Sequence, residues 1–123
     1  MQATDKLTRA LTEVKYLNAD NVSRYRCIMR IFFENYEKLK YWLYQEDVYE
    51  EMIQDPYFAD YRMEQCQQDL AMLTEWKNLN TIQDTRKVSS IEEFKNKKFR
   101  YQMSEYSVQI ERLVLRLENL LVE

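Results

Sequence analysis

The 123-residue chain contains no glycine and no histidine, and each absence removes a class of function. Without glycine, neither of the common glycine-rich loops that cradle phosphate groups can form. Without histidine, the side chain used most often as a general base and as a neutral metal ligand is missing. Glycine is also what the many tight turns of an all-β fold usually need. We therefore expect no enzyme active site, no metal site and no cofactor, and a fold that is not all-β.

Cysteine, proline and long apolar runs are also scarce. The two cysteines, Cys27 and Cys66, both lie inside helical patterns beside apolar neighbours. Buried free thiols are the expected state, with a surface thiol or a disulfide as alternatives. No apolar run approaches the ~18 residues of a membrane span, and no signal peptide is visible. These features favour a cytoplasmic protein with no membrane contact.

What the chain does contain is enough apolar and aromatic material for one core. Apolar residues make up 46% of the sequence and aromatic residues 14%, which is atypical of disorder. A chain of this length can bury about two-thirds of the surface that its unfolded form exposes. We divide the chain into an N-terminal arm, residues 1–20, and one domain, residues 21–123. Residues 14–17 of the arm are compatible with a short strand.

The apolar spacing within the domain alternates between helical and strand periods. The third predicted helix, at about 62–76, shows the helical period, because Cys66, Leu70 and Leu73 fall on one face. Trp76 closes this face. The predicted elements are helices at about 22–41, 46–54, 62–76 and 105–122, and strands at 41–44, 79–84 and 99–103. Asn21 and its neighbours offer N-cap oxygens. Asn78 is the expected left-handed residue after the third helix, with Lys77 as the alternative.

This order of elements is that of a winged helix-turn-helix, a mainly α fold with a small β-sheet. The wing, residues 85–98, is long, and so is the C-terminal helix. Ser90 and Glu93 form a capping box inside the wing, which predicts a short helix at 91–97.

Charge is distributed unevenly. Residues 85–100 carry a net charge of +4, although the whole chain is −3 and the remainder is therefore −7. A basic wing can contact a phosphate backbone or an acidic partner, and the simplest alternative is a solvated loop. The candidate contact residues are Arg86, Lys87, Lys95, Lys97, Lys98 and Arg100.

The third helix would be the recognition helix of a DNA-binding winged helix, but its predicted solvent face is acidic. It carries Arg62 against Glu64, Asp69 and Glu75. Pressing this face into a major groove would bring carboxylates close to phosphates. We therefore do not expect sequence reading by this helix.

The terminal helix has more apolar residues than one contact face needs. Tyr106, Ile110, Leu113, Leu117 and Leu120 recur at steps of four and three, and Val114 and Leu121 widen the stripe. Leu115, with Val114 or Leu121, is left over, which favours a partner helix. The candidate dimer-interface residues are Ile110, Val114, Leu117 and Leu121. The alternatives are a helix absorbed by its own core and a contact with another chain.

Five co-linear stretches, spread over about residues 14–120, resemble one known family. They are Tyr16–Asn21, Tyr41–Tyr44, Asp60–Asp84, Glu92–Asn96 and Phe99–Gln102. The family is the N-terminal region of the kleisin subunit (JetA, also called EptA or MksF) of Wadjet, the bacterial SMC-like plasmid-defence complexes.

The resemblance implies the N-terminal fragment of a longer kleisin, similar to the N-terminal winged helix of the MukF kleisin. That domain pairs with a second copy and joins two SMC motor units. ATP hydrolysis and DNA cleavage would then belong to the SMC-like ATPase and to a nuclease subunit, reached through the remainder of the chain. The expected function is thus a non-catalytic homodimerisation domain with weak, nonspecific DNA contact at most. The rival hypothesis is a sequence-specific DNA-binding winged-helix transcription regulator.

Overall fold

Helices and short strands alternate along the chain largely as the apolar spacing predicts. The computed structural model describes residues 1–83 and 99–121. The helices are α1 (Asp5–Thr8), α2 (Val22–Glu37), α3 (Gln45–Gln54), α4 (Met63–Glu75) and α5 (Glu105–Glu118). The strands are β1 (Trp42–Tyr44), β2 (Leu79–Gln83) and β3 (Phe99–Met103). Short 3-10 helices span Thr12–Leu17 and Pro56–Phe58.

The three strands form one antiparallel sheet in the order β1-β3-β2. Tyr101 at the centre of β3 pairs with Leu43 on one side and Thr81 on the other. A mainly α fold with a small antiparallel sheet is therefore confirmed, and the order of elements is that of a winged helix. The wing and its predicted helix at 91–97 lie outside the described residues.

The core forms where α2, α3 and α4 meet the inner face of the sheet. Ile28, Phe33, Leu43, Leu70 and Leu79 are almost completely buried in it. Each such side chain contributes roughly 1.5–3 kcal/mol when it leaves water. The apolar stripe of α2 lies at the centre of this core, as its spacing predicts.

Two helices end in a left-handed residue that is not glycine. After α4, Lys77 has φ 65°, and the Asn78 N–H reaches back to the Leu73 carbonyl at 2.9 Å. After α2, Leu39 has φ 67°, and the Lys40 N–H bonds to the Asn35 carbonyl at 2.9 Å. Both ends are Schellman motifs. The prediction of Asn78 was therefore wrong and the alternative, Lys77, is correct; α2 also ends four residues before the predicted limit.

Asn78 is buried because its side chain joins three segments. Its Nδ2 donates to the Glu13 carbonyl at 2.7 Å and to the Ser107 Oγ at 3.0 Å. Its backbone carbonyl accepts from the Ser104 N–H at 2.9 Å. The Asn78 Nδ2 thus joins the N-terminal segment and α5 to β2, and a left-handed turn role was the wrong assignment for this residue.

The structure also corrects the predicted N-cap of α2 and the predicted burial of Cys27. Asn21 itself is left-handed, with φ 60°, and provides no side-chain cap for α2. Cys27 is a free thiol on the exposed side of α2, whereas Cys66 is a buried free thiol, and burial raises its pKa to about 11. On α3, Ile53 is exposed.

The predicted arm divides into two parts. Residues 1–11 are exposed, but the 3-10 helix that follows packs against α2 and α5. Tyr16 in this helix is completely buried. The segment at 14–17 is therefore helical and part of the core, and the short strand considered there is not formed. Within the described part of the chain, no helix has the length and apolarity needed to cross a bilayer.

The left-handed Lys77 generates a first prediction. Replacing Lys77 with glycine should raise the free energy of unfolding by about 0.5–1 kcal/mol, because removing Cβ relieves more strain than the added chain entropy costs. Urea unfolding measures the change. Lys77→Ala is the matched control and should give no gain, because alanine keeps Cβ. Equal effects of the two substitutions would contradict the prediction.

Candidate protein-interaction surface

Helix α5 turns a partly polar face toward the core. Its buried residues are Ser107, Val108, Glu111 and Val114. The Glu111 carboxylate, only 1% exposed, accepts from the Tyr16 hydroxyl at 2.6 Å and from the Arg30 Nε at 3.1 Å. A buried carboxylate is tolerated only when it is paired and hydrogen-bonded in this way. The 3-10 helix, α2 and α5 are therefore joined at one acidic side chain.

A second carboxylate extends this arrangement by two turns of α5. Glu118 accepts from the Arg26 Nη2 at 2.8 Å and from two guanidinium nitrogens of Arg30. We name Tyr16, Arg26, Arg30, Glu111 and Glu118 the ion-pair cluster. The bonds from Arg30 hold the pKa of Glu118 below its usual range, and the same bonds raise the pKa of Arg30. The pKa of Tyr16 is raised mainly by burial and also by Glu111.

The spacing of charged residues in the sequence is compatible with this cluster, but the apolar spacing alone does not reveal it. Glu111 and Glu118 are seven residues apart and share a face of α5, whereas Arg26 and Arg30 are four apart on α2. Each pair looks like an ordinary solvated surface pair by itself. Only the packing of α2 against α5 shows that the two pairs face each other.

A second face of α5, together with the residues just after the helix, is apolar and exposed. Tyr106, Leu113 and Leu117 are about half exposed, and Leu120 and Leu121 about three-quarters. We name these five residues the leucine face. Five large apolar side chains at this exposure present on the order of several hundred Å², the size of patch that marks a site of protein contact. The apolar stripe of the terminal helix is therefore mostly outside the core of a single chain.

The four candidate interface residues separate into two groups. Leu117 and Leu121 lie on the leucine face, with 51% and 77% of their surface exposed. Val114 is only 4% exposed and Ile110 is half-buried against the core. Val114 is therefore corrected to a core residue, because α5 turns it toward its own chain. Leu115, expected to be left over, is also half-buried against the core.

The N-terminal arm lies beside the start of the leucine face. The Arg9 guanidinium sits over the Tyr106 ring at 5.3 Å and approaches the Glu13 carboxylate at 3.9 Å. Leu7 and Leu11, on either side of Arg9 in sequence, are both about half exposed. The arm therefore adds further apolar surface near one end of the leucine face.

Helix α4, the counterpart of a recognition helix, holds its central carboxylate inside the domain. Asp69 is 1% exposed and accepts two hydrogen bonds from Arg24, at 2.9 and 2.7 Å, and one from the Tyr61 hydroxyl at 2.7 Å. The prediction that Asp69 faces solvent was wrong, because the sequence does not reveal its partner on α2. Glu64 and Glu75 are exposed on α4, so the helix still offers acidic rather than basic side chains to solvent.

Of the six basic contact candidates, Arg100 alone lies in the described ranges. Arg86, Lys87, Lys95, Lys97 and Lys98 fall in the gap between 83 and 99. The Arg100 guanidinium lies over the Trp42 ring at 4.9 Å. Trp42 also makes an edge-on contact with Tyr44 on the same strand, at 5.6 Å between ring centroids. Arg100 is therefore part of an aromatic cluster on the sheet rather than an isolated surface charge.

Acidic and cysteine side chains do not assemble into a metal-binding group of three within residues 1–83 and 99–121. The carboxylates at the centre of the two buried clusters, Glu111 and Asp69, both have arginine and tyrosine partners. These clusters join elements of the fold, and the leucine face is the strongest candidate site for binding.

The buried position of Asp69 generates a second prediction. Asp69→Ala should lower the free energy of unfolding by about 3 kcal/mol or more, because it leaves Arg24 and the Tyr61 hydroxyl without their shared acceptor. Chemical denaturation measures the loss. Glu75→Ala, at an exposed position of the same helix, is the control and should change stability by less than about 0.5 kcal/mol. Similar small effects at both positions would show that Asp69 is solvated.

Comparison with models of known protein families gives a match over most of the chain. A model described as "Protein of unknown function (DUF2397)" matches residues 14–123. No match is found among curated proteins or among solved structures. The matched range includes the buried Tyr16, the three strands and helices α2 to α5. The chain therefore belongs to the DUF2397 family.

Proposed function

We propose that this chain is a non-catalytic dimerisation domain, and that two copies pair through the leucine face of α5. The observation that carries the proposal is the orientation of this helix, which buries Glu111 and leaves Leu117 half exposed. The exposed Leu120 and Leu121 follow directly after the helix and extend this surface. Exposed apolar side chains gathered on one helix are stabilised when a partner removes them from water.

A second copy is the occupant that fits this surface most simply. A two-fold axis places the same patch of each copy against the other, so the surface must match itself. A row of leucines on a regular helix meets this condition, because leucines pack against leucines in helix pairs. The flank of α5 also carries Glu105 near its start and Arg116 near its end. An antiparallel pair brings these opposite charges toward each other, whereas a parallel pair aligns like charges.

The surface of α4 supports an architectural role over sequence reading. Its exposed carboxylates, Glu64 and Glu75, would face phosphates in a major groove. Nucleic-acid binding draws most of its affinity from lysine and arginine contacts to phosphate. The basic side chains of this chain are concentrated instead at 85–100, which favours weak contact that does not depend on base sequence.

The sequence resemblance suggests the setting of this dimer. In that proposal the domain belongs to the kleisin subunit of a bacterial condensin-type, Wadjet-like SMC complex that restricts plasmids in the cytoplasm. The pair of domains would join two motor units, and the SMC-like ATPase and the other subunits would bind elsewhere on the kleisin. The winged-helix order of elements and the exposed leucine face both support this role.

The mass in solution tests the pairing. Light scattering at tens of micromolar should give about twice the chain mass of 15.2 kDa. Leu117→Asp or Leu121→Asp should return the mass to that of one chain, because a carboxylate at the centre of an apolar contact loses its water. Helical circular dichroism should persist in both variants.

Ile53→Asp is the matched control for these variants. Ile53 is an exposed apolar residue on α3, away from α5 in the order of elements, so its substitution should leave the mass of the pair unchanged. A single-chain mass for the parent protein at all concentrations would refute the dimer. Equal loss of helix and of pairing in the leucine variants would instead mark those leucines as core.

DNA binding separates the proposal from the rival regulator. We expect short duplexes to bind weakly, with equal affinity for different base sequences and a steep dependence on salt. Replacing Lys95, Lys97 and Lys98 with glutamine should weaken this binding and flatten its salt dependence. Strong preference for one duplex at physiological salt would favour a transcription regulator.

A further inference from the structure

Exposed apolar side chains gather at both ends of α5. At the start of the helix, the Arg9 guanidinium of the N-terminal arm lies 5.3 Å from the centre of the Tyr106 ring. Leu7 and Leu11, on either side of Arg9 in sequence, are 59% and 49% exposed. Just after the end of the helix, Leu120 is 74% exposed. Two apolar surfaces that need cover therefore lie at opposite ends of one helix.

Within one chain, the arm does not reach the far end of α5. The Asn78 Nδ2 bonds both to the Glu13 carbonyl and to the Ser107 Oγ, which holds the chain at the first turn of the helix. Leu11 is two residues before Glu13, so at about 3.6 Å per residue it stays within roughly 7 Å of this anchor. Leu120 is 13 residues beyond Ser107, which is roughly 20 Å along a helix at about 1.5 Å per residue.

The leucine face by itself is small for a stable pair. Stable protein interfaces bury about 800 Å² on each partner, whereas the leucine face presents on the order of several hundred Å². Leu7 and Leu11 are further apolar side chains that the contact of Arg9 with Tyr106 places beside this face. A pair that buries the arm together with the leucine face comes closer to the area that stability requires.

An antiparallel pair of α5 helices brings the separated ends together. The first turn of one helix then lies beside the last turn of its partner, and the two-fold axis repeats this contact at the other end. The opposite charges of Glu105 and Arg116 favour the same direction. A parallel pair would instead place arm beside arm, and the terminal leucines of one copy beside those of the other.

We propose that the arm is part of the dimer interface, and that Leu11 of each copy packs against Leu120 and Leu121 of the other copy. This inference rests on the proposed pairing through α5. It adds the direction of the two helices and a second segment of the chain that contacts the partner.

Cross-linking between differently labelled copies tests this contact. All variants carry Cys27→Ser, which leaves the buried Cys66 as the other native cysteine. An isotope-labelled Leu11→Cys chain is mixed with an unlabelled Leu120→Cys chain, left to exchange partners, and treated with a short bismaleimide. We expect the main product to have the mass of one labelled and one unlabelled chain, because positions 11 and 120 of different copies lie side by side.

Tyr57→Cys, mixed with Leu120→Cys, is the matched control. Tyr57 is 74% exposed, like Leu120, but lies on another surface, so this mixture should give little product. A main product of two Leu120→Cys chains would overturn the inference, because a parallel pair brings those positions together. So would equal yields from Tyr57→Cys and Leu11→Cys, or no product from a protein that has the mass of a pair.

The strength of the pair provides a second measurement. Leu7→Ser combined with Leu11→Ser should raise the dissociation constant at least tenfold, because two apolar side chains are lost from the contact. Helical circular dichroism should persist, since both leucines lie outside the core. Ile53→Ser on α3 should leave the constant unchanged. An unchanged constant in the arm variant would overturn the arm contact alone, whereas a parent protein with the mass of one chain would refute the proposed pairing itself.

Discussion

The structure depends on one buried carboxylate, that of Glu111. An acidic side chain inside a protein is stable only with donors on its oxygens, and here they come from two distant segments. Tyr16 brings the 3-10 helix of the N-terminal segment, and Arg30 brings α2. The same side of α5 also packs Val108 and Val114 inward, while Leu113 and Leu117 remain half exposed.

A second buried carboxylate, on α4, also joins elements that are distant in the sequence. Asp69 is held by Arg24 and Tyr61, so α4 is joined to α2 by charge as well as by apolar packing. In a DNA-reading winged helix, the outer face of this helix would need basic or neutral polar side chains. The outer face here keeps carboxylates. The terminal helix and the residues after it offer exposed apolar side chains, and we therefore propose partner binding rather than base reading.

Much of the fold could be predicted from sequence because it depends on local periodicity. The bounds of β3 are as predicted, and the helix predicted at about 22–41 is the one at the centre of the core. The errors have a common origin. Asp69 is buried against Arg24, 45 residues away, and Val114 is buried because α5 turns it toward its own chain. Spacing along one helix reveals neither of these contacts. Lys77 illustrates a different limit, since the geometry of a helix end can require a left-handed residue even where the sequence provides no glycine.

The central claim is that the leucine face is covered only when two copies meet. Hydroxyl-radical footprinting of Leu117, Leu120 and Leu121 at concentrations above and below pairing tests it directly. The account predicts rapid oxidation of these residues in dilute protein and strong protection in concentrated protein, with Tyr57, exposed on another surface, oxidised equally in both. Equal oxidation of the leucines at every concentration would contradict it.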